Sequence, residues 1–384
     1  MSDVASEAAA LKRWLFDMAL PLWWKEGADR VGGGFHEAIG LDGRALARPH
    51  RARAIARQAF SYCEAGRLGW HGPWREAQRH ALDYFRKHFV TADATVVSVV
   101  DLDGKIGDPR FDLYNQAFAL LAFASGHSTL DEAAGWRRQA VALRSTLEQF
   151  YAHPLYGFLE DRSGRLPQRS NPHMHLFEAA LAWIAVDDDP AWRRMADGIA
   201  VLCLQKFVDP ASGALREFFA ADWSPAPGAA GRICEPGHHY EWAFLLDRWA
   251  RLTDRNKPEA VARLIAFADA HGLDARRGVA VNAVLADGSI HDPVARLWAQ
   301  AERIRAYLAH RRSDDEVAAA VKGLRRFLAT PTHGVWFDQL APDDGFVFEP
   351  ARATSLYHIV GAVAELSAAI PDTGTAGADS RCTS

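Results

Sequence analysis

Residues 32–44 read GGGFHEAIGLDGR, three glycines, a short extended run and an Asp-Gly turn signal. Glycine opens backbone conformations closed to other residues, and Asp-Gly favours a tight reversal, so the stretch reads as an extended segment entering a hairpin. Its glycines precede no helix and lack dinucleotide-binding spacing. The stretch decides the fold because it returns: TVVSVVDLDGK from Thr95, YGFLEDRSGR from Tyr156, GALREFFAAD from Gly213, GVAVNAVLADG from Gly278 and GVWFDQLAPDDGF from Gly334. Anchored on Gly34, Thr95, Gly157, Gly213, Gly278 and Gly334, the spacings are 61, 62, 56, 65 and 56 residues.

Between hairpins lie about 45 residues, room for two helices of three to five turns and their connections. Residues 51–66, RARAIARQAFSYCEAG, carry apolar side chains at Ala52, Ile55, Ala56, Ala59, Phe60 and Cys63, the helical period. Residues 113–126, LYNQAFALLAFASG, are apolar nearly all round, as a helix buried on several sides should be. Six such units bury their apolar faces most completely by closing into a ring. The expectation is an all-α fold, a single (α/α)6 barrel of twelve helices spanning 1–370, with short β-hairpins at one rim. An open solenoid is the competing architecture, disfavoured by hairpins gathered at one end. The small, polar segment 371–384, PDTGTAGADSRCTS, reads as a flexible tail.

A net charge of -4, with 44 basic and 48 acidic residues interleaved, lacks the basic surface that nucleic acid requires. Four scattered cysteines form no Cys-x-x-Cys pair, so neither a disulfide framework nor a thiolate zinc site is expected. MSDVASEAAALKRWLF places acids before its first base and has no signal-length apolar core, and no later run reaches membrane-spanning length. A soluble cytoplasmic protein without membrane partners is expected, whose outer helices leave room for a homodimer.

In a closed barrel, equivalent residues of each unit lie on one ring. Arg57, Asn115, His175, His238, Trp298 and His358 are separated by 58, 60, 63, 60 and 60 residues and should converge on the mouth. Pro172, Pro236 and Pro293 read as first-position prolines of helices. His175 with Glu178, and His238 with Glu241, stand at i and i+3 and should share a face, each a base with an orienting carboxylate. A helix N-terminus disfavours imidazolium, so both histidines are expected neutral. His173, His175, His238 and His239 could ligate zinc or manganese, but the rings of a His-x-His pair diverge by about 200° on a helix, so no metal or other cofactor is expected. Cys234 reads as a bystander, and no nucleophile elbow or phosphate-binding loop is present.

Taken in order, Arg57 in ARQAFSYCEAG, Tyr114 in LYNQAFALLAFA, NPHMHLFEA, EPGHHYEWAFLL, RLWAQAE and TSLYHIVGA resemble the N-acylglucosamine 2-epimerase superfamily from about residue 10 to 368. The resemblance implies an (α/α)6 barrel that isomerises or epimerises sugars without a metal, with His238 and His358 as paired acid/base groups. It also implies that Arg57, His175, Glu178 and Glu241 match residues lining the sugar site. NPHMHLFEA and GHxxEW look more like the mannose isomerase and cellobiose epimerase branches; His239 departs from an acid found in some members.

Such chemistry needs an acid and a base to open the sugar ring, a base for the C2 hydrogen, and a cation for the enediolate, a task that suits Arg57. The expected activity is aldose-ketose isomerisation of a free hexose pair such as D-mannose and D-fructose, with His238, His358, Glu241, His175 and Arg57 catalytic. Tyr114, Asn115, Glu178, Trp298 and Arg53 are the expected substrate contacts. The nearest alternative is a sugar 2-epimerase. A hydrolase or lyase would need two carboxylates where the ring carries histidines, and a silent sugar-binding barrel would have no turnover to lose. Arg51, Arg53 and Arg296 either bind an anionic substituent or face solvent.

Overall fold

The apolar periods translate into twelve helices in the computed structural model, which describes residues 3–370. The expected tail, 371–384, lies outside the described residues. Helix α1 starts as Asp3–Trp14 and continues through wider turns to Gly27. Next come α2 (Ala52–Arg67), α3 (Trp74–His88), α4 (Leu113–Thr129), α5 (Ala133–Phe150) and α6 (Ser170–Ile184). They are followed by α7 (Pro190–Leu202), α8 (Pro236–Leu252), α9 (Ala260–Gly272), α10 (Leu297–Ala309), α11 (Asp314–Arg326) and α12 (Ala353–Ala369).

The even-numbered helices form an inner ring, each packed on the next, and α12 returns to α2. The odd-numbered helices lie outside, with α1 against α11 and α12. That closure is the (α/α)6 barrel and excludes the open solenoid. Sequence explains which helix goes where. The apolar run of α4 is buried from Leu113 to Gly126 with few breaks. Outer helix α3 instead buries one stripe that includes Ala77, Ala81, Leu82 and Phe85 and turns charges outward. Burying each of Leu82 and Phe85 contributes about 2 kcal/mol.

The inner helices start at the hairpin rim, and the manner of their capping ties units together. Arg51, Arg169, Arg296 and Arg352 occupy four N-cap positions and supply no side-chain cap, leaving backbone donors to be satisfied otherwise. The neighbouring hairpin does so: Ala52 N–H donates to Ser98 O, Ser170 to Glu217 O, Leu297 to Asp338 O and Ala353 to Glu37 O. The hairpin carboxylates add to this. Glu37 accepts from Arg51 N and Nε, both at 2.6 Å, and Glu160 accepts from Arg169 N at 3.0 Å. Strand Ala38–Ile39 pairs with Ala351–Arg352, so the first hairpin closes on the last helix.

Two proline readings fail. Only Pro236 opens its helix; Pro172 is the third residue of α6, and Pro293 precedes α10, where its carbonyl accepts from Arg277 Nη2 at 2.6 Å.

At the closure, Trp23 stacks on Trp336 at 4.9 Å and donates from Nε1 to Gly334 O at 3.1 Å. Gly334 holds φ +94°, and a Cβ there would stand 2.6 Å from Met18 O. Gly334→Ala is therefore expected to lower stability by about 1–3 kcal/mol, read as a fall in Tm by calorimetry.

Candidate active site

The inner helices begin at one rim, so side chains of their first turns converge on a cavity of about 300 Å³. Five of the six ring positions reach its wall: Arg57, His175, His238, Trp298 and His358. Asn115 does not. It is fully buried and donates from Nδ2 to Ser98 Oγ at 3.1 Å, while Tyr114, one residue earlier, faces the cavity. A residue step turns a helix by about 100°, which suffices to exchange one for the other. Glu178 is also absent from the wall, lying behind His175. Arg53 and Glu241 line the cavity as expected.

The His-x-His divergence is realised. His173 Nε2 accepts from Phe158 N at 3.0 Å, and His239 Nε2 accepts from Leu215 N at 2.9 Å, so both latch helix starts to hairpins. His175 and His238 turn the other way, into the cavity.

His358 Nδ1 lies 2.7 Å from Glu302 Oε1, which leaves Nε2 for the cavity. Burial pushes its pKa well below the ordinary value, and Arg57 and Arg305 act in the same direction. His358 is thus neutral and can accept a proton. His238 is the opposite case and corrects the expectation. Although burial opposes charge, Glu217 at 3.0 Å and Glu235 at 3.7 Å raise its pKa to about 10. Two carboxylates outweigh the helix N-terminus, and His238 is imidazolium.

His175 is buried with its pKa lowered to about 4, its Nδ1 3.3 Å from Glu178 Oε2 and 3.7 Å from Glu241 Oε1. Glu241 therefore faces His175 instead of orienting His238. Neither Glu241 oxygen finds a hydrogen-bond partner, and burial together with Glu302 and Glu178 pushes its pKa well above the carboxylate range. A neutral carboxyl facing the cavity is a hydrogen-bond donor. Burial would also raise Glu178, but His175, Arg305 and the Tyr357 hydroxyl hold it down to about 2.

Arg57 is 5% exposed and donates from Nη2 to Tyr114 Oη at 2.6 Å, with its guanidinium 4.2 Å from the Phe118 ring centre. Trp298 lies between the paired histidines, 5.0 Å from His238 and 5.7 Å from His358 between ring centres. A Cβ on Gly237 would come within 2.4 Å of that indole, which accounts for glycine before the histidine in GHHYEW. Gly237→Ala is expected to displace Trp298 and lower kcat/KM by about tenfold or more, with circular dichroism unchanged.

Glu217, Glu302, Arg305 and Tyr357 were not among the sequence candidates. Glu217 was within reach: it occupies the hairpin position of Glu37 and Glu160. Glu302 falls four residues after Trp298, where the His175 and His238 units carry their acid at three, and Arg305 lies deeper on the same helix.

Among the described residues, three groups could hold a metal, their ligand atoms within 4.8 Å: His175, Glu178 and Glu241; Glu217, Glu235 and His238; Glu241, Glu302 and His358. The middle one already serves as a carboxylate cage for imidazolium. Cys234 is no nucleophile: burial pushes its thiol up to about 12.

Histidine-carboxylate pairs thus gather at the mouth of this barrel, and the class of enzyme, sugar isomerases and 2-epimerases, follows from the family. The chain belongs to the N-acylglucosamine 2-epimerase (GlcNAc 2-epimerase) family, whose profile matches residues 33–362. It is 43% identical over 379 residues to a protein of Rhizobium meliloti (strain 1021) named mannose-6-phosphate isomerase, covering 95% of this chain and 97% of that one. It is 24% identical over 365 residues to a cellobiose 2-epimerase of Bacteroides fragilis, covering 87% and 91%. A crystal structure of a D-mannose isomerase superposes with a TM-score of 0.83 at 20% identity, covering 95% of this chain and 98% of that one, a likeness of fold.

Proposed function

We propose that the protein is an aldose-ketose isomerase acting on a hexose pair such as D-mannose and D-fructose. The observation that carries this reading is the pair of histidines flanking Trp298 in one cavity in different settings: His238 between Glu217 at 3.0 Å and Glu235 at 3.7 Å, which favour its charged form, and His358 held through Nδ1 by Glu302 at 2.7 Å, with burial and two arginines favouring its neutral form. His238 protonates the ring oxygen while His175 takes the anomeric proton, opening the ring. His358 Nε2 then removes the C2 hydrogen, with Arg57 stabilising the enediolate. Glu241 gives its proton to O1 and takes one from O2, His358 returns the C2 proton to C1, and closure of the ketose ring returns a proton to His238 from the attacking hydroxyl and takes one from His175 at the new anomeric oxygen. Every proton is accounted for by groups of this chain, so turnover is expected to survive a chelator; loss on chelation and recovery with a divalent ion would overturn that.

The test is a proton NMR time course in deuterated water. Fructose from mannose supports isomerisation, whereas an aldose epimer carrying deuterium at C2 supports the 2-epimerase reading, in which a second base on the far face returns the proton. Three buried free thiols, Cys63, Cys203 and Cys234, fit a reducing cytoplasm, and no described helix is long and apolar enough to cross a membrane.

A second substrate reading, a hexose 6-phosphate, is favoured by Arg53 and Arg296. Both line the cavity and, among the described residues, form no side-chain hydrogen bond or ion pair, and the Rhizobium relative bears a phosphosugar name. Arg53→Met should then raise KM for mannose 6-phosphate by about tenfold and leave that for mannose unchanged.

The charge states also set a pH profile. His238 stays protonated until about pH 10 and His358 stays neutral through the neutral range, so kcat/KM should show no step at pH 6.5, falling in acid only where His175 protonates, at about pH 4, and in base as His238 loses its proton. Glu217→Gln should bring the fall in base toward neutral pH, because His238 loses its nearest carboxylate.

A further inference from the structure

At the far end of the barrel, where the inner helices finish, lies a second cavity of about 480 Å³. Its wall is largely apolar, yet it carries four arginines, Arg67, Arg248, Arg251 and Arg305, against two glutamates, Glu64 and Glu365. Helix C-termini favour cations, which accounts for Arg67 and Arg251 in the last turns of α2 and α8. Three of the four are also paired: Arg67 with Glu64 at 2.5 Å, Arg251 with Asp247 at 2.9 Å, and Arg305 Nη1 with Glu302 at 2.8 Å.

Arg248 is different. It sits just inside the last turn of α8, half-buried, and among the described residues makes no hydrogen bond or ion pair. Burial lowers its pKa against the pull of Glu178, and Arg305 adds to the fall. Arg305, 5% exposed, also contributes: its Nη atoms face Glu302 and Glu178 while its buried Nε has no partner. One guanidinium without a partner, with a second beside it whose charge opposes it, lines a volume within the range of small-molecule sites. Beside them stand Leu121, Val186 and Leu252, which offer nothing to a hydrated ion but suit an aliphatic chain.

We propose that this lower cavity binds a small carboxylate, its anionic group on Arg248 with Arg305 alongside, its aliphatic body against Leu121, Val186 and Leu252. Charge complementarity selects the head group, since a planar guanidinium matches a carboxylate with two parallel donors. The site is separate from the sugar cavity and does not depend on which hexose the enzyme turns over.

The test is calorimetric titration of the full-length protein with succinate, and with butyrate as the monoanion. Saturable binding is expected, unchanged by saturating D-mannose and by Arg53→Met, and weakened roughly tenfold or more by Arg248→Met. Glu365→Gln, which removes a like charge from the same wall, should tighten binding severalfold and keeps the test open if Arg248→Met fails to fold. Absence of saturable binding of either acid, equal binding by Arg248→Met, or loss of binding in Arg53→Met would each overturn the proposal, the last by placing the anion in the sugar cavity.

Discussion

On the proposed mechanism, His358→Ala is expected to lower turnover of D-mannose by about 10²–10⁴-fold, the scale of losing a general base, and to suppress exchange of the C2 hydrogen with deuterated water in proportion. The reason is local. Glu302 holds Nδ1 of this ring at 2.7 Å, so its other nitrogen is fixed toward the cavity and kept neutral. No other neutral histidine flanking Trp298 can take over, since His238 is charged. His238→Ala is expected to behave differently. Its loss falls on ring opening, so a short aldose that cannot cyclise, such as glyceraldehyde, should still exchange its C2 hydrogen in that variant. Equal loss of exchange on the acyclic sugar in both variants would refute the division of roles, and near-normal mannose turnover in His358→Ala would remove it from the mechanism.

The second large effect is on stability. Arg305 donates to both oxygens of Glu302, at 3.1 and 2.8 Å, and stands 3.8 Å from Glu178. Removing one partner of a buried ion pair leaves the other uncompensated, so Arg305→Met should cost about 3–5 kcal/mol. The sign with pH follows from the carboxylates. Without the guanidinium, Glu302 and Glu178 take up protons more readily in the folded state, and protonation relieves the unpaired charge. The deficit should therefore be larger at pH 8 than at pH 5 in urea unfolding; a pH-independent loss would mean that packing, not charge, is what the arginine supplies.

Much of this architecture was legible because closure imposes a period. Recurrent Asp-Gly and glycine-rich turns located the hairpins, and residues about sixty apart located five of the cavity's side chains. What remained hidden were contacts between units. Glu217 approaches His238 from a hairpin, and Glu302 reaches His358 from the preceding inner helix, neither along its own helix. An i, i+3 argument sees partners only on one helix, so it assigned Glu241 to His238, and the helix N-terminus taken without Glu217 read His238 as neutral. The swap of Tyr114 for Asn115 has a simpler origin, since a period of sixty residues fixes a helix's phase only to within a residue. Prolines misled for a related reason: Pro293 belongs to the hairpin, whose length varies from unit to unit.

The borrowed caps at the rim have a consequence for how this chain can vary. Four inner helices begin on a carbonyl that a neighbouring hairpin provides, and Ala353 takes its own from Glu37 at the opposite end of the sequence. Deleting or adding a unit at any of these four joints would orphan backbone donors of its neighbour, and the bonds that resist it also shape the mouth. Hairpin tips, by contrast, stand beyond those bonds and are free to lengthen. Change in substrate range is thus channelled into the tips around the opening, while these joints resist a change in the copy number of the repeat.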